Sequence, residues 1–251
     1  MDYHVNMNGI PVIAHYSTKE IEELFIPILQ RLTEMQKEKN KRLLVFLAAP
    51  PGAGKSTLSS FLQKISEERK DLMDIQAIGM DGFHRRQEYL ISHTAMRDGH
   101  EVRMVDIKGA PITFDRMAFR QRIESVLQNQ IVGWPDYDRH LHNPVENAIT
   151  VEKDIILLEG NYLLLDEEGW RDLKKLADFT IFIKADENML RERLVDRKIK
   201  SGNAPEKAAE FVDYSDMVNV RLCLERSQKP DVMLHIDEDG EYREKLDNKP
   251  K

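Results

Sequence analysis

A short glycine-rich segment that ends in a lysine and two hydroxyl residues carries the clearest chemistry of this sequence. It reads Ala49, Pro50, Pro51, Gly52, Ala53, Gly54, Lys55, Ser56 and Thr57, and it follows the apolar run 43–48. Small residues let successive backbone N–H groups turn toward an anion, and a helix that starts here adds its positive dipole end. In the pattern G-x-x-x-x-G-K-[ST], the lysine reaches the β- and γ-phosphates and the next hydroxyl holds Mg²⁺. The spacing predicts that residues 51–57 bind a nucleoside triphosphate, with Lys55 on the phosphates and Ser56 on Mg²⁺.

One position departs from this pattern, because Ala49 occupies the place of the first glycine. Alanine fits there only if the backbone has a negative φ angle, so the substitution weakens the pattern without breaking it. The alternative is a plain glycine-rich turn before an amphipathic helix. The strand pattern before the loop and the helical pattern after it favour the phosphate site.

Two acidic residues stand at the ends of apolar runs that are typical of buried strands. Glu159 follows the run 155–158, and Asp81 follows the run 75–80. Ligands bind at the carboxyl ends of parallel strands, so Glu159 is predicted to orient Mg²⁺ or its water shell. Asp81 is then placed to accept the proton of a substrate hydroxyl that attacks the γ-phosphorus. A turn or capping role is the alternative for each, and spacing alone leaves the two interpretations of Asp81 even.

A segment rich in aromatic and charged residues and bounded by prolines, 134–144, is predicted to be a substrate-binding loop. Tyr137, Asp138, Arg139 and His142 offer a ring face and hydrogen bonds to a small polar molecule. The alternative is a hydrogen-bonded surface loop. Zinc binding by the two histidines of the segment is disfavoured, because no cysteine or third ligand stands nearby at a familiar spacing.

A charged helical pattern near residue 195 supplies two further candidates. Arg193 and Arg197 are four residues apart and therefore share one helical face. A mobile arginine lid there could stabilise the transition-state charge on a phosphoryl group and exclude water. The alternative, a solvated charged helix, is favoured by composition alone and loses weight only because the phosphate loop is present.

The hydrophobic periodicity predicts alternating helices and strands, and hence an α/β fold with a mostly parallel sheet. Helices are predicted at about 18–39 (capped by Ser17 or Thr18 and kinked at Pro27), after the phosphate loop, and at 85–92, 115–128, 187–200 and 205–226. Strands are predicted at 43–48, 75–80, 154–160, 179–184 and 232–236. The polar stretch 97–108 is predicted to be a surface insertion, and the last dozen residues are expected to be frayed.

The composition bounds the class of protein. A chain of 251 residues with 41% hydrophobic content can bury one substantial core, so we expect a single domain. The formal net charge of -7 disfavours a nucleic-acid partner. Cys223 lies in an apolar helical pattern and is expected to be buried rather than reactive. No signal-like region and no run of roughly 18 apolar residues occurs, which predicts a cytoplasmic protein without a membrane partner.

Several motifs occur in an order that resembles a known group of kinases. After the phosphate loop come Met80-Asp81-Gly82-Phe83-His84, Gly109-x-Pro111-x-Thr113-Phe114-Asp115, Pro135-x-Tyr137-Asp138-Arg139-x-x-His142, Leu158-Glu159-Gly160-Asn161-Tyr162-Leu163-Leu164 and Leu190-Arg191-x-Arg193-Leu194-x-x-Arg197. Across about residues 43–235 they resemble the phosphoribulokinase, uridine kinase and bacterial pantothenate kinase group. Within it the chain looks most like bacterial proteins labelled nucleoside or nucleotide kinase family, or fructose transport system kinase. The motifs are specific for the superfamily and weak for the substrate.

The resemblance implies a three-layer P-loop NTPase fold with a small helical lid, ATP as the phosphoryl donor and Mg²⁺ as the metal. It implies a catalytic role for Asp81 as the base, with Lys55, Arg193 and Arg197 acting on the phosphates. It implies that Tyr137 and His142 contact the acceptor, as the matching tyrosine and histidine contact the base in uridine kinases. His84, Asp138 and Arg139 are further predicted acceptor contacts. Asp216 and Asn219 fall in a later helix that approaches the nucleotide in several members of the group.

Two departures from uridine kinases bear on the acceptor. Gly82 follows Asp81 where those enzymes typically have serine, and Arg139 stands where they have an aromatic residue. A cation in place of an aromatic wall argues against a flat pyrimidine ring. We therefore expect a smaller acceptor that is more polar or anionic.

The sequence as a whole predicts one kinase domain over 1–251, with a leading helix at about 18–39 and the phosphate loop at 49–57. The acceptor-binding region is predicted at about 81–145 and the lid at about 187–204. The expected activity is ATP- and Mg²⁺-dependent phosphorylation of a hydroxyl on a sugar, sugar acid, pantothenate-like acid or nucleoside. The alternative is a P-loop NTPase that acts as a regulatory switch or binding module. A homodimer is left open.

Overall fold

The computed structural model describes residues 1–7 and 10–244, which form an α/β fold around a six-stranded sheet. The strands are β1 (Asp2–Met7), β2 (Ile10–His15), β3 (Leu43–Ala48), β4 (Ile75–Gly79), β5 (Thr94–Arg97), β6 (His100–Arg103), β7 (Val132–Asp138), β8 (Asn143–Val151), β9 (Ile155–Gly160), β10 (Phe179–Lys184), β11 (Val232–Ile236) and β12 (Tyr242–Glu244). The α-helices are α1 (Thr18–Glu20), α2 (Ile26–Lys39), α3 (Lys55–Glu68), α4 (Gln87–Ser92), α5 (Arg116–Gln128), α6 (Glu187–Lys200), α7 (Pro205–Phe211) and α8 (Met217–Arg226). Short 3-10 turns span Asp81–Phe83, Met104–Ile107, Pro111–Thr113 and Arg171–Leu176. The predicted fold class is confirmed.

The central sheet brings the candidate chemistry to one edge. Its strand order is β12-β11-β10-β3-β9-β4, and all neighbouring strands are parallel except β11 and β12. On β9, Glu159 pairs with Leu47 of β3 on one side and with Gly79 of β4 on the other. Because parallel strands end at the same edge, the phosphate loop after β3 and Asp81 after β4 flank Glu159.

Two hydrophobic cores lie on opposite faces of this sheet, because side chains along a strand alternate between its faces. On β3, Leu43, Val45 and Leu47 belong to one core, whereas Leu44 and Phe46 belong to the other. Helices α2, α3 and α6 close the first core, and α5 with the β7–β8 hairpin closes the second. The sheet and these two coverings are the three layers that the resemblance implies.

The predicted leading helix is present but is not uniform. The hydroxyl of Ser17 accepts a hydrogen bond from the Glu20 N–H, and Glu20 completes a capping box at the start of α1. A π-helical turn, Ile21–Phe25, then joins α1 to α2. It stands directly before α2, whose N-terminal residues include Pro27, a residue that cannot donate a backbone hydrogen bond. The helix is therefore irregular just before Pro27, and a kink at Pro27 itself stays a prediction.

Three hairpins differ from the sequence-based expectations. β1 pairs with β2, although no structure is predicted before residue 18. β5 and β6 pair across residues 94–103, so the polar stretch 97–108 is an ordered part of the fold rather than a bare insertion. The segment 134–144 is the turn end of the β7–β8 hairpin and not a loop. These hairpins form because their strands pair with each other, and a local sequence pattern does not show which strands pair.

The end of the chain is also more structured than expected. β12 pairs antiparallel with β11, although residues 240–251 are expected to be frayed. Residues 245–251, which share that expectation, lie outside the described residues. A strand of three residues is too short to show a hydrophobic periodicity in the sequence, so β12 becomes visible only through its pairing with β11.

Cys223 has the surroundings predicted for it. It is fully buried, its Sγ lies 3.3 Å from the carbonyl oxygen of Asn161, and burial raises the pKa of the thiol to about 12. A thiol that stays protonated is a poor nucleophile, so its role is packing. Over residues 1–7 and 10–244, no helix combines the length and apolar character that a membrane span requires.

Candidate active site

The phosphate loop turns between β3 and α3 with the backbone that an anion site requires. Gly52 and Gly54 have φ angles of +84° and +79°, which glycine adopts at little cost. Gly54 is the N-cap of α3, so the free N–H groups of the first helical turn begin at Lys55. Ala49 is not among the described non-glycine residues with positive φ, which is the condition under which alanine fits.

Glu159 connects the loop to the sheet. Ser56 Oγ donates a hydrogen bond to Glu159 Oε1 at 2.7 Å, and Lys55 Nζ lies 3.8 Å from Oε2. The absence of a side chain on Gly79 leaves room for this carboxylate, because a Cβ there would lie 3.2 Å from Oε1. Burial raises the pKa of Glu159, and the charge of Lys55 opposes that effect.

Ser56 and Glu159 fit the magnesium role predicted for them. Mg²⁺ prefers oxygen ligands and keeps several waters, so one or two protein oxygens together with phosphate oxygens suffice. A cation beside Glu159 would also offset the free-energy cost of its buried charge. Within the described part of the chain, no group of three or more His, Cys, Asp and Glu side chains is arranged to hold a metal. These two residues would therefore share the ion with the nucleotide.

Asp81 begins the 3-10 turn Asp81–Phe83 just beyond the end of β4. Burial raises the pKa of Glu159 and of Tyr137, and the charge of Asp81 adds to both effects. The charge of Asp81 therefore acts on both Glu159 and the hairpin residue Tyr137. In the described ranges, no lysine, arginine or histidine nitrogen lies within 4.0 Å of the Asp81 carboxylate.

Gly82 allows the β7–β8 hairpin to approach the Asp81 turn. A Cβ on Gly82 would clash with the backbone of Pro135, which explains sterically why glycine stands where uridine kinases have serine. The neighbouring Trp134 is fully buried, and its Nε1–H donates to the carbonyl oxygen of Gly79 at 2.8 Å. The hairpin is thereby fixed against the end of β4.

Tyr137 and His84 lie together on the hairpin side of Asp81. Their ring centroids are 5.2 Å apart, and His84 Nδ1 lies 2.9 Å from the carbonyl oxygen of Asp81. Because a carbonyl oxygen can only accept, Nδ1 carries the proton and donates it. Burial lowers the pKa of His84, which favours the neutral ring. The ring therefore packs beside Tyr137 without adding a charge.

A cavity of about 290 Å³ lies at the turn end of the hairpin. It is lined by Asp136, Tyr137, Asp138, Arg139, His140, Val145 and Ala148. The carboxylate of Asp138 accepts hydrogen bonds from the N–H groups of His140 and Leu141 at 2.7 and 2.9 Å, so it also shapes the turn. His142 is exposed at a φ of +51° and is not part of the lining. Of the acceptor contacts predicted in this segment, the structure brings Tyr137, Asp138 and Arg139 together and leaves the His142 ring outside.

Helix α6, predicted as the first part of a lid, is anchored in the core. Leu190 and Leu194 are fully buried, and a Cβ on Gly52 would lie 3.1 Å from each of the Leu190 carbonyl oxygen and the Leu194 side chain. The phosphate loop therefore packs directly on this helix. Residues 187–200 of the predicted lid form α6, and movement of this helix as a lid stays a prediction.

The two predicted arginines of α6 have different surroundings. The Arg197 side chain is exposed to solvent; the surrounding protein lowers its pKa, and the charges of Asp216 and Asp81 oppose that effect. Arg193 lies toward the β11–β12 turn, where its Nη2 would be 3.8 Å from a Cβ on Gly240. Arg197 is therefore within electrostatic range of Asp81 without forming an ion pair with it, and Arg193 lies near Gly240.

Asp216 and Asn219 lie where α8 begins. Asp216 is buried, and its Oδ2 lacks a hydrogen-bond partner among the described residues, with Lys198 Nζ at 3.8 Å. Burial raises the pKa of Asp216, and Lys198 and Arg197 oppose that effect. Asn219 is buried as well, with its Nδ2 toward Gly109. Contact of Asp216 and Asn219 with the nucleotide stays a prediction.

Two side chains of this region escape prediction from the sequence. Lys108 Nζ donates to the hydroxyl oxygen of Tyr137 at 2.6 Å, and the Tyr242 hydroxyl donates to the carbonyl oxygen of Ala53 at 3.4 Å. Lys108 ends a stretch predicted to be surface, and Tyr242 lies among residues expected to be frayed. The sequence gives one indication of a role for Lys108: it stands directly before Gly109, the first residue of a motif shared with the kinase group.

Comparison with known proteins agrees with this geometry. The model of the Phosphoribulokinase / Uridine kinase family matches residues 44–216, more than half of the chain. The uncharacterized protein YggC of Escherichia coli (strain K12) is 38% identical over 243 residues, which cover 96% of this chain and 98% of that protein. A candidate uridine kinase of Schizosaccharomyces pombe is 32% identical over 213 residues, covering 82% of this chain and 88% of its own. The crystal structure of a candidate fructose transport system kinase from Silicibacter sp. TM1040 has a TM-score of 0.71 and 29% identity, covering 82% of this chain and 98% of that one. The chain therefore belongs to the phosphoribulokinase / uridine kinase family of P-loop kinases.

Proposed function

We propose that the protein is an ATP- and Mg²⁺-dependent kinase that transfers the γ-phosphoryl group to a hydroxyl of a small metabolite. The observation that carries the proposal is the cluster in which Ser56 and Lys55 meet Glu159, with Asp81 on the neighbouring strand end. Family membership supports the same reaction class. Sugars, sugar acids, pantothenate-like acids and nucleosides are the candidate acceptors.

In this proposal the phosphate loop binds and orients the donor. The loop N–H groups and the Lys55 ammonium bind the β- and γ-phosphates. Ser56 and Glu159 hold Mg²⁺, which when bound neutralises charge on the phosphate oxygens. Arg197 stabilises the charge that spreads over the transferred group in the transition state.

Asp81 acts on the acceptor. Its carboxylate accepts the proton of the acceptor hydroxyl as that oxygen attacks the γ-phosphorus. The new oxygen–phosphorus bond forms while the bond from the γ-phosphorus to the bridging oxygen breaks, and ADP leaves. A carboxylate without a cationic partner within 4.0 Å, over the described residues, suits this role, because no ion pair competes with the acceptor hydroxyl for its oxygens.

ADP release with MgATP, measured over a panel of sugars, sugar acids, pantothenate and nucleosides, tests the proposal. We expect one acceptor to raise turnover well above the rate with water alone, and we expect Asp81→Asn to lower that gain by about 10²–10⁴-fold. Asp98→Asn is the matched control, because Asp98 is exposed at a φ of +51°, a conformation that asparagine tolerates. A slow rate that no acceptor changes would favour the regulatory switch instead.

A further inference from the structure

The Lys108 ammonium is held in the acceptor region by neutral groups alone. Its Nζ donates to the Tyr137 hydroxyl oxygen at 2.6 Å, to Gln87 Oε1 at 2.9 Å and to the His142 carbonyl oxygen at 3.3 Å. Throughout the described residues, no carboxylate oxygen lies within 4.0 Å of it. A half-buried cation that is fully hydrogen-bonded but not neutralised leaves a local positive potential.

These contacts fix the role of the Tyr137 hydroxyl. A phenol has one proton to donate, and an ammonium has no lone pair with which to accept it. Since Lys108 donates to the phenolic oxygen, the Tyr137 proton must point elsewhere. Burial also raises the pKa of Tyr137 to about 12, so the hydroxyl keeps this proton at neutral pH. Tyr137 is therefore a hydrogen-bond donor that the ammonium polarises.

The cavity beside Tyr137 contains hydrogen-bond donors that have no acceptor among the described residues. Its two acids each use Oδ1 to accept backbone hydrogen bonds, Asp136 from the Tyr137 N–H at 2.8 Å and Asp138 from two N–H groups of the turn, and each keeps a second carboxylate oxygen. Arg139 lines the same cavity, and among residues 1–7 and 10–244 no carboxylate lies within 4.0 Å of its guanidinium. The donors of this cavity that have no acceptor are therefore the Arg139 guanidinium and the Tyr137 hydroxyl. The Tyr137 hydroxyl lies beside the Lys108 ammonium.

We propose that the acceptor carries an anionic oxygen group, a carboxylate or a phosphate, which binds the Tyr137 O–H and the Arg139 guanidinium. Lys108 is a positioning residue that acts through Tyr137. Two hydrogen-bond donors with nearby positive charge match anionic oxygens and match an uncharged pyrimidine ring poorly. That the bound molecule is also phosphorylated rests on the proposed function.

The cavity is connected to the Asp81 turn through the Tyr137 and His84 rings. The Tyr137 ring contacts the His84 ring, which is hydrogen-bonded to the Asp81 backbone. A volume of about 290 Å³ is at the small end of ligand pockets. The geometry thus suits a short hydroxylated acid or sugar phosphate, with the anionic group at the hairpin and a hydroxyl at Asp81.

Binding to the MgADP-loaded protein separates this inference from the kinase reaction itself. Thermal unfolding is followed with matched probes: gluconate and glucose, pantothenate and pantothenol, ribose 5-phosphate and ribose, and also acetate, inorganic phosphate and uridine. We expect at least one anionic probe to raise the Tm at concentrations where its neutral partner does not. Carboxylate and phosphate probes distinguish the two sources of anionic oxygen.

Variants locate the binding site. Arg139→Gln should abolish the anion-specific rise in Tm, whereas Arg120→Gln, which removes the same group from the exposed face of α5, should preserve it. Tyr137→Phe and Lys108→Met should each reduce the preference for an anionic probe over its neutral partner by about tenfold or more. The double variant should lose no more of this preference than either single variant, because both residues act through the Tyr137 hydroxyl. Lys108→Arg should restore part of the preference.

Two results would overturn the inference. One is a Tm that no anionic probe raises in an Arg139-dependent way. The other is a neutral sugar or uridine that binds as tightly as its anionic counterpart. Neither result bears on whether ATP is consumed, so the proposed kinase reaction can fail or stand independently.

Discussion

Gly82 sets the distance between the candidate base and the acceptor cavity. Its backbone contacts that of Pro135, so any Cβ would push the β7–β8 hairpin away from the Asp81 turn. Gly82 is not among the described glycines with a positive φ angle. Glycine is therefore required here because a side chain does not fit, and not because of the backbone conformation. The hairpin in turn carries Tyr137 and Arg139, so one missing methyl group helps to determine the shape of the acceptor cavity.

We expect Gly82→Ala to lower the free energy of unfolding by about 1–3 kcal/mol, the usual cost of overpacking, and to raise the KM of the acceptor. Urea denaturation and steady-state kinetics measure the two effects. Gly99→Ala is the control, because Gly99 has a φ of +79° and open space around it, so alanine there meets only the conformational cost of about 1 kcal/mol. Equal acceptor KM values for both variants would contradict the steric argument.

His84 makes stability depend on pH. Burial lowers its pKa below the usual 6.5, so in the window below pH 6.5 the unfolded chain binds the proton more readily than the folded chain. The stabilising contribution is complete above that window and decreases as the pH falls through it. We expect His84→Gln to flatten the pH dependence of the free energy of unfolding below pH 6.5, and urea denaturation at several pH values to show this.

The control for this prediction is His100→Gln, since His100 is exposed on β6. It should retain the pH dependence of the wild type. Parallel curves for His84→Gln and the wild type would show that protonation of other groups causes the loss of stability.

At the scale of elements, α6 serves packing on one face and chemistry on the other. Leu190 and Leu194 are buried against the phosphate loop, whereas Arg197 is exposed, within electrostatic range of Asp216 and Asp81. Because the inner face is fixed by packing, the arginine is held in position by the helix. Closure over a nucleotide would therefore involve side chains and the end of the helix rather than the helix as a whole.

The two faces of α6 should respond differently to substitution. Leu194→Ala is expected to cost about 2–5 kcal/mol of unfolding free energy, because it leaves a cavity in a tight core. Arg197→Gln is expected to change stability by less than about 0.5 kcal/mol and to lower kcat by about 10²–10³-fold. Lys200→Gln, at the exposed end of the helix, is the control for charge removal. A large loss of stability in Arg197→Gln with kcat unchanged would contradict this division.

At the scale of the whole molecule, the two ends of the described chain meet beside the phosphate loop. Glu20, in α1, accepts a hydrogen bond from the Tyr242 N–H at 2.7 Å, and the Tyr242 hydroxyl donates to Ala53 at 3.4 Å. The Tyr242 ring packs against Tyr16 and Phe25, with centroids 6.2 and 5.7 Å apart. The loop is therefore supported by an N-terminal helix and a C-terminal strand, both distant from it in sequence.

Tyr242→Ala is expected to lower the free energy of unfolding by about 3–5 kcal/mol, the usual cost of removing a buried aromatic ring, and to weaken MgADP binding because Ala53 loses its support. Calorimetric titration with MgADP and urea denaturation measure the two effects. Tyr214→Ala removes a half-exposed tyrosine that packs against Arg97 and should leave MgADP affinity unchanged. Unchanged MgADP affinity in Tyr242→Ala would show that the loop holds its shape without this contact.

The sequence by itself determined the features that local patterns carry. The phosphate loop, the strands 179–184 and 232–236, the helix 187–200 and the α/β class follow from periodicity, glycine spacing and the order of the motifs. Glu159 and Asp81 could be placed at strand ends, because parallel strands bring their carboxyl ends to one edge. The order of the motifs also sufficed to indicate the family.

Only the tertiary structure decided which side chains meet. The β7–β8 hairpin in place of a loop, the bond from Lys108 to Tyr137 and the meeting of Tyr242 with Ala53 all join residues far apart in sequence. No local pattern encodes such pairs, because the free energy that favours them comes from cross-strand packing and burial in the folded chain. The phosphate site could therefore be derived from the sequence, whereas the acceptor cavity required the fold.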